Sequence, residues 1–258
     1  MTGVQTCALP IFSIRVQYSE VDYERSEFSQ VQVRDGTIEF VKSAAGYVVR
    51  NTQNDYLTGV RETLLAKVEK ATSAPLTKVV VTLFDIPSTK LRSKFFHELA
   101  RSLPNFVRRD VTDVYVFKAK PEMDDNNNEE DDGDDDGSGS HIERVFLRGS
   151  GVSRSEILNE LLDEDDYYIV KMGWTATELL GDGNVYDIEA GFADPKDCTG
   201  FSFILSGVFP LEEGKVSTKR RPPYKHEIDA LSRVIESKAR DLVLELRSEY
   251  LAVEAGGE

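Results

Sequence analysis

Cysteine, histidine and tryptophan are scarce in this chain: its 258 residues carry two Cys, three His and one Trp. Two cysteines, Cys7 and Cys198, cannot supply the cross-links of a small secreted domain, and no Cys-x-x-Cys pair offers a zinc or redox site. His97, His141 and His226 stand far apart, with no His-Glu-x-x-His motif and no Gly-x-Ser-x-Gly elbow. No apolar run approaches the roughly 18 residues that span a bilayer. These shortages set aside a disulfide scaffold, a zinc peptidase of that type, an α/β-hydrolase and a helical membrane protein. The remainder is ordinary: 40% hydrophobic and 30% charged residues, on a chain long enough to bury a sizeable core.

Base is also short, but unevenly. Residues 121–140, PEMDDNNNEEDDGDDDGSGS, hold ten carboxylates and no Lys or Arg. Setting those ten aside takes the net charge from −15 to −5. The rest is only mildly acidic, which argues against nucleic acid as a partner, because phosphate binding needs an excess of cations. The acidic run has too little apolar surface to offset its ordering entropy and reads as a disordered linker, 121–141.

The first eleven residues, MTGVQTCALPI, resemble a common sequencing-adapter oligonucleotide translated in frame as V-T-G-V-Q-T-C-A-L-P-I, with its GTG written as the starting Met. The resemblance implies that residues 1–11 are an artefact, that the native N-terminus is truncated, and that Cys7 drops out. Cys198 then stands alone, which fits a reducing cytosol and a cytoplasmic protein.

Periodicity sets the expected elements. Phe12 to Tyr18 alternates apolar and polar residues, the pattern of a half-buried strand. Phe28–Arg34 and Thr37–Ser43 read as strands joined by a two-residue turn at Asp35-Gly36, since Asp-Gly accepts the positive φ such a turn needs. A short extended piece from Gly46 leads to a helix over 55–71, with Val60, Leu64, Val68 and Ala71 on one face. Lys78–Phe84 (KVVVTLF) reads as a buried strand, 88–103 as a helix burying Leu91, Phe95, Leu99 and Leu103, and 111–118 as a strand. Beyond the acidic run come a strand at 143–148 and a helix at 153–163 with Ile157, Leu158, Leu161 and Leu162 inward. Strands at 167–174, 184–192 and 201–209 follow. A helix over 224–250 turns Ile228, Leu231, Ile235, Leu242 and Leu246 inward.

The predicted class is α+β: two small halves of mixed or antiparallel sheet, 12–120 and 142–250, with helices on one face and a flexible tail at 251–258. Gly46 and Tyr56, like Gly214 and Tyr224, bracket nine residues before a helix in their respective halves. With Glu-Leu at 98–99 and 160–161, they suggest a degenerate internal duplication.

Candidate chemistry is sparse. Asp132, Asp134, Asp136, Gly137 and Glu143 match the spacing of a calcium loop, in which hard carboxylates surround a sharp Gly turn and a final Glu closes bidentately. An Asp-rich run generates that pattern readily, and Gly139 occupies a normally apolar position. Arg148-Gly149-Ser150-Gly151-Val152-Ser153 resembles a phosphate-holding turn, but it lacks the Lys-Ser/Thr of a P-loop, and Ser153-x-x-Glu156 reads as a capping box. Leu83-Phe84-Asp85-Ile86-Pro87, with Arg92, is similar to the strand-ending Asp of the small CRISPR-associated endoribonuclease family of ferredoxin-like fold. That resemblance implies a nuclease role for Asp85; here the segment is internal and no second motif accompanies it. Lys215, Lys219, Arg220, Arg221, Lys225 and His226 form a basic cluster able to receive an anion or an acidic partner. Asp22 with Glu24, and Asp194 with Asp197, are nearby carboxylate pairs. Cys198 has no base close in sequence, and Trp174 ends an apolar strand as a core residue would.

The favoured expectation is a cytosolic interaction module that binds a protein partner, with no catalytic constellation and no cofactor. The alternative is a metal-dependent enzyme on phosphorylated or nucleic-acid substrates, built from Asp85 and the 215–226 cluster.

Overall fold

The computed structural model describes residues 12–21, 23–24, 26, 29–43, 46–52, 54–119, 142–163 and 166–256. Residues 1–11, Asp22, Phe28, the run 120–141 with Asp132, Asp134, Asp136 and His141, and residues 257–258 lie outside that set. The chain divides into two units, Met1–Lys78 and Val79–Glu258. Both are α+β, and their sheets are antiparallel throughout.

In the first unit, β1 (Phe12–Val21), β2 (Val31–Ser43) and β3 (Gly46–Asn51) form a meander in the order β1-β2-β3. Helix α1 (Asp55–Thr72) follows, capped by Asn54, whose side chain accepts from the Leu57 N–H at 2.7 Å. The expected turn at Asp35-Gly36 does not exist. β2 runs straight through it, with Gln17 opposite Asp35 and Val16 opposite Gly36. The glycine serves a close approach instead: a Cβ on Gly36 would lie 2.1 Å from Leu57 Cδ1. An isolated glycine inside a strand often marks such a close approach. Leu57 is the buried residue of α1, and it shares the small core with Ile38 and Val41. Val68 and Ala71, expected on the inner face, are exposed.

In the second unit, helix α2 (Thr89–Arg101) precedes β4 (Phe106–Phe117), β5 (Arg144–Arg148), helix α3 (Glu156–Asp163), β6 (Tyr168–Glu178), β7 (Val185–Asp194) and β8 (Thr199–Phe209). The sheet order is β5-β4-β6-β7-β8. A small hairpin, β9 (Leu211–Glu212) and β10 (Lys215–Val216), leads to helix α4 (Lys225–Gly256), which is helical through residues expected to form a flexible tail. Glu213 and Gly214 both have positive φ, which suits the tight two-residue turn between β9 and β10. Phe95, Phe96 and Leu99 of α2 and Leu231, Ile235, Ala239, Leu242 and Leu246 of α4 pack with Val111, Val114, Met172, Trp174 and Ile188 from one face of the sheet.

Two expectations change here. The sequence puts the boundary between halves in the acidic run, yet that run joins neighbouring strands of one sheet: Phe117 pairs with Arg144, and the Lys118 N–H donates to the Glu143 carbonyl at 2.9 Å. Composition marks the acidic run but does not show that the strands on either side of it pair. Residues 78–84 have the pattern of a buried strand, but they join no ladder, and Val80 is 62% exposed. Leu83 N and Thr82 Oγ both donate to the Cys198 carbonyl, at 3.1 and 3.2 Å. Cys198 (φ 48°) and Gly200 (φ 70°) have left-handed backbone beside that contact, and 78–84 makes no further backbone pairing among the described residues.

Candidate functional site

The positions singled out in the sequence turn out to do structural work or to lie apart. Asp85 pairs with Arg247 of α4, Oδ2 to Nε 2.6 Å. Arg247 is twenty-two residues along α4 from Lys225, roughly 33 Å at helical rise. The fold therefore separates Asp85 from the basic cluster with which the enzyme reading combined it. Among the described residues, no group of three or more His, Cys, Asp or Glu is placed to hold a metal ion. Glu143, the described member of the calcium-loop pattern, pairs with Arg144 at 3.2 Å.

The basic cluster is largely consumed internally. Arg221 makes a two-pronged ion pair to Glu227 (2.6 and 2.8 Å), and its guanidinium lies 4.1 Å from the Tyr224 ring centroid. Burial pushes the Glu227 carboxyl up, but the Arg221 hydrogen bonds, the Tyr224 N–H and the Arg221 charge outweigh it and hold the group below the usual carboxylate range. Arg220 reaches Asp187 at 2.7 Å. Lys215, Lys219 and Lys225 are exposed and make no ion pair among the described residues, but Glu212 and Glu213 share the hairpin with Lys215. His226 is exposed and stacks on Tyr224.

The Gly149–Gly151 turn already holds an anion from within the fold. The Asp110 carboxylate accepts from Gly151 N (3.0 and 3.1 Å) and Ser150 Oγ (2.8 Å). The expected Ser153–Glu156 capping box is absent, because Val152–Arg154 is a 3-10 turn and α3 begins only at Glu156. Asp194 accepts from the Asp197 N–H, a turn-closing role. Cys198 is free and fully buried, and burial pushes its thiol up to about 11. Arg92 holds that region together, donating to the Ile86 and Lys196 carbonyls and lying over the Tyr168 ring. Partial burial, with Arg108 nearby, lowers the His97 pKa.

The richest surface is one the sequence reading passed over. Since strand side chains alternate, the residues between the core positions face away from the helices. On that open face Tyr115 stacks on Phe146, its cross-strand neighbour, with centroids 4.3 Å apart. Lys171 lies 4.9 Å from the Tyr115 ring and Arg148 5.1 Å from the Phe146 ring. Three ion pairs run across the same face: Arg148–Asp113 (2.5 Å), Lys171–Glu189 (2.8 Å) and Arg220–Asp187 (2.7 Å).

Glycines make the floor. A Cβ on Gly173 would meet Asp113 at 3.1 Å, one on Gly191 would meet Lys171 at 2.9 Å, and one on Gly207 would meet Arg220 at 2.1 Å. Each glycine lets a charged side chain lie flat over a neighbouring strand. The available sequence signal was a set of lone glycines inside strands that also carry charge at alternate positions. No family model matches this chain, and neither a curated protein nor a solved structure matches it.

Proposed function

We propose that this chain is a non-catalytic interaction module of the cytosol that binds a protein partner on the open face of its five-stranded sheet. The supporting observation is the stacked Tyr115–Phe146 pair, flanked by Lys171 and Arg148 on a glycine-floored face. Aromatic residues and Arg are the side chains most enriched at protein interfaces. Each of the three cations in the ion pairs across the face has a carboxylate partner, so phosphate would have to displace an existing pair. A protein partner can pack on the stacked Tyr115–Phe146 pair without displacing any of them. The free, buried Cys198 suits the cytosolic setting.

The test places a photo-crosslinking residue at Phe146, Glu189 or, as a control on exposed α4 surface, Glu245, in cells that make the protein. One defined adduct from positions 146 and 189, absent at 245 and lost on Lys171→Glu, is the expected result. Equal adducts at all three positions, or an adduct indifferent to Lys171→Glu, would overturn the assignment.

A further inference from the structure

We infer a second binding element on the same unit: the outer edge of β8, which adds an extended peptide of about six residues as a further antiparallel strand. It lies along the sheet's edge rather than on its open face, and it stands whether or not that face binds.

The two edges of the sheet differ sharply. β5 is five residues long and carries Arg144 and Arg148, the charged short strand by which proteins discourage strand addition. β8 is eleven residues, TGFSFILSGVF, with no charge and no proline. Among the described residues its outer backbone groups are paired at the two ends. Leu83 N donates to the Cys198 carbonyl at one end. At the other, Val208 and Arg221 exchange two backbone bonds of 3.0 and 2.9 Å. Pro222 and Pro223, which lack an N–H, end that ladder after one bridge. Between these stops, residues 200–205 have no outer backbone partner among the described residues.

Register identifies the free groups. Val208 bonds outward, so Gly207 faces β7 and its partner Asp187 faces β8. β7 pairs with β6 without interruption, so Glu189 and Gly191 also face β8 and engage Ile204 and Ser202. The bulge between Gly207 and Leu205 resets the alternation, and the N–H and C=O groups of Phe203 and Leu205 point outward.

The end stops also choose the occupant. A second copy of β8 pairing about a two-fold axis at Phe203 would set its Val208 opposite Cys198, where Arg221 and Leu83 already sit. A rigid strand is blocked, whereas a flexible peptide can enter and leave sideways between the stops. Ile204, 55% exposed, with half-buried Phe203 and Leu205, favours β-branched residues along the peptide. Asp194 and Asp197 flank the Cys198 end, and Lys219 and Lys225 follow at the Val208 end. In antiparallel addition these charges call for an acidic residue at the start of the peptide and a basic one at its end.

The probe is therefore the hexapeptide ETVTVK, acetylated and amidated, titrated into the full chain. Amide hydrogen exchange at Phe203 and Leu205 should be fast in the free protein and slow about tenfold or more at saturation. The charge-reversed peptide KTVTVE should bind more weakly, and a backbone N-methylated ETVTVK not at all. Ile204→Lys should abolish binding with the melting temperature unchanged, whereas Lys171→Glu on the open face should leave it intact. No protection at millimolar ETVTVK overturns the inference. So does slow exchange at Phe203 and Leu205 in the free protein, because the edge would already be covered, and so does equal binding of the N-methylated peptide.

Discussion

Replacing Gly36 by Ala tests whether the strand reading of β2 is right. The added Cβ would sit 2.1 Å from Leu57 Cδ1 and 3.1 Å from Cγ, well inside contact distance. Leu57 is fully buried and cannot swing to solvent without opening the small core it shares with Ile38 and Val41. Overpacking of this kind costs about 1–3 kcal/mol. Leu57→Ala alone costs about 2–5 kcal/mol through lost burial and a cavity. The double variant carries the diagnosis: with Ala at 57 the clash disappears, so Gly36→Ala should then cost little or even recover some stability by filling space. A coupling of about 1–2 kcal/mol is expected, as for any pair in direct contact. Urea unfolding followed through the amide signals of β2 and α1 reads the first unit by itself. If Gly36→Ala costs the same with Leu or Ala at position 57, the penalty comes from backbone strain, as the turn reading requires, and the close-approach account is refuted.

Two further outcomes follow from the second unit. Glu227→Gln leaves the Arg221 charge without its carboxylate and should cost about 2–4 kcal/mol at neutral pH, read by urea unfolding through Trp174 fluorescence. The Glu227 pKa is lowered in the fold, so its contribution is full above the unfolded carboxyl value of about 4.3 and is lost as pH falls through the folded one. The gap between parent and variant should therefore narrow below about pH 4; a constant gap down to low pH would rule out the ion pair as its source. Cys198, with its thiol pushed up to about 11 and its side chain buried, should resist alkylation at pH 8 in the folded protein and react promptly in urea, as followed by peptide mass mapping. Rapid native labelling would contradict the packing around Arg92 and Tyr168.

Local pattern carried most of the elements, and it faltered where a residue answers to a distant neighbour. Phe95 and Leu99 of α2 and the α4 stripe from Leu231 to Leu246 are buried as their spacing implies, because helical periodicity is a property of the segment itself. Gly36 misled because Asp-Gly in a turn and Gly under a leucine look identical along the chain. KVVVTLF has every local mark of a strand, but a strand also needs a ladder partner, and beyond the Cys198 contact it finds none among the described residues. The basic cluster looked available because its carboxylate partners, Asp187 and Glu227, belong to other elements. The open face was the least legible of all. Tyr115, Phe146 and Lys171 are scattered over three strands, and only pairing across β5-β4-β6 brings them together.

By itself, then, the sequence determined the α+β class, the positions of most helices and strands, the absence among the described residues of any helix long and apolar enough to cross a membrane, and the acidity of 121–140. These follow from composition and short-range periodicity, which act within a few residues. The tertiary structure alone decided where the two units divide, that β4 and β5 pair across the acidic run, which charges are spent on one another, and which sheet face and edge stay open. Those outcomes depend on long-range pairing, where one register choice places every side chain of a strand on one face or the other.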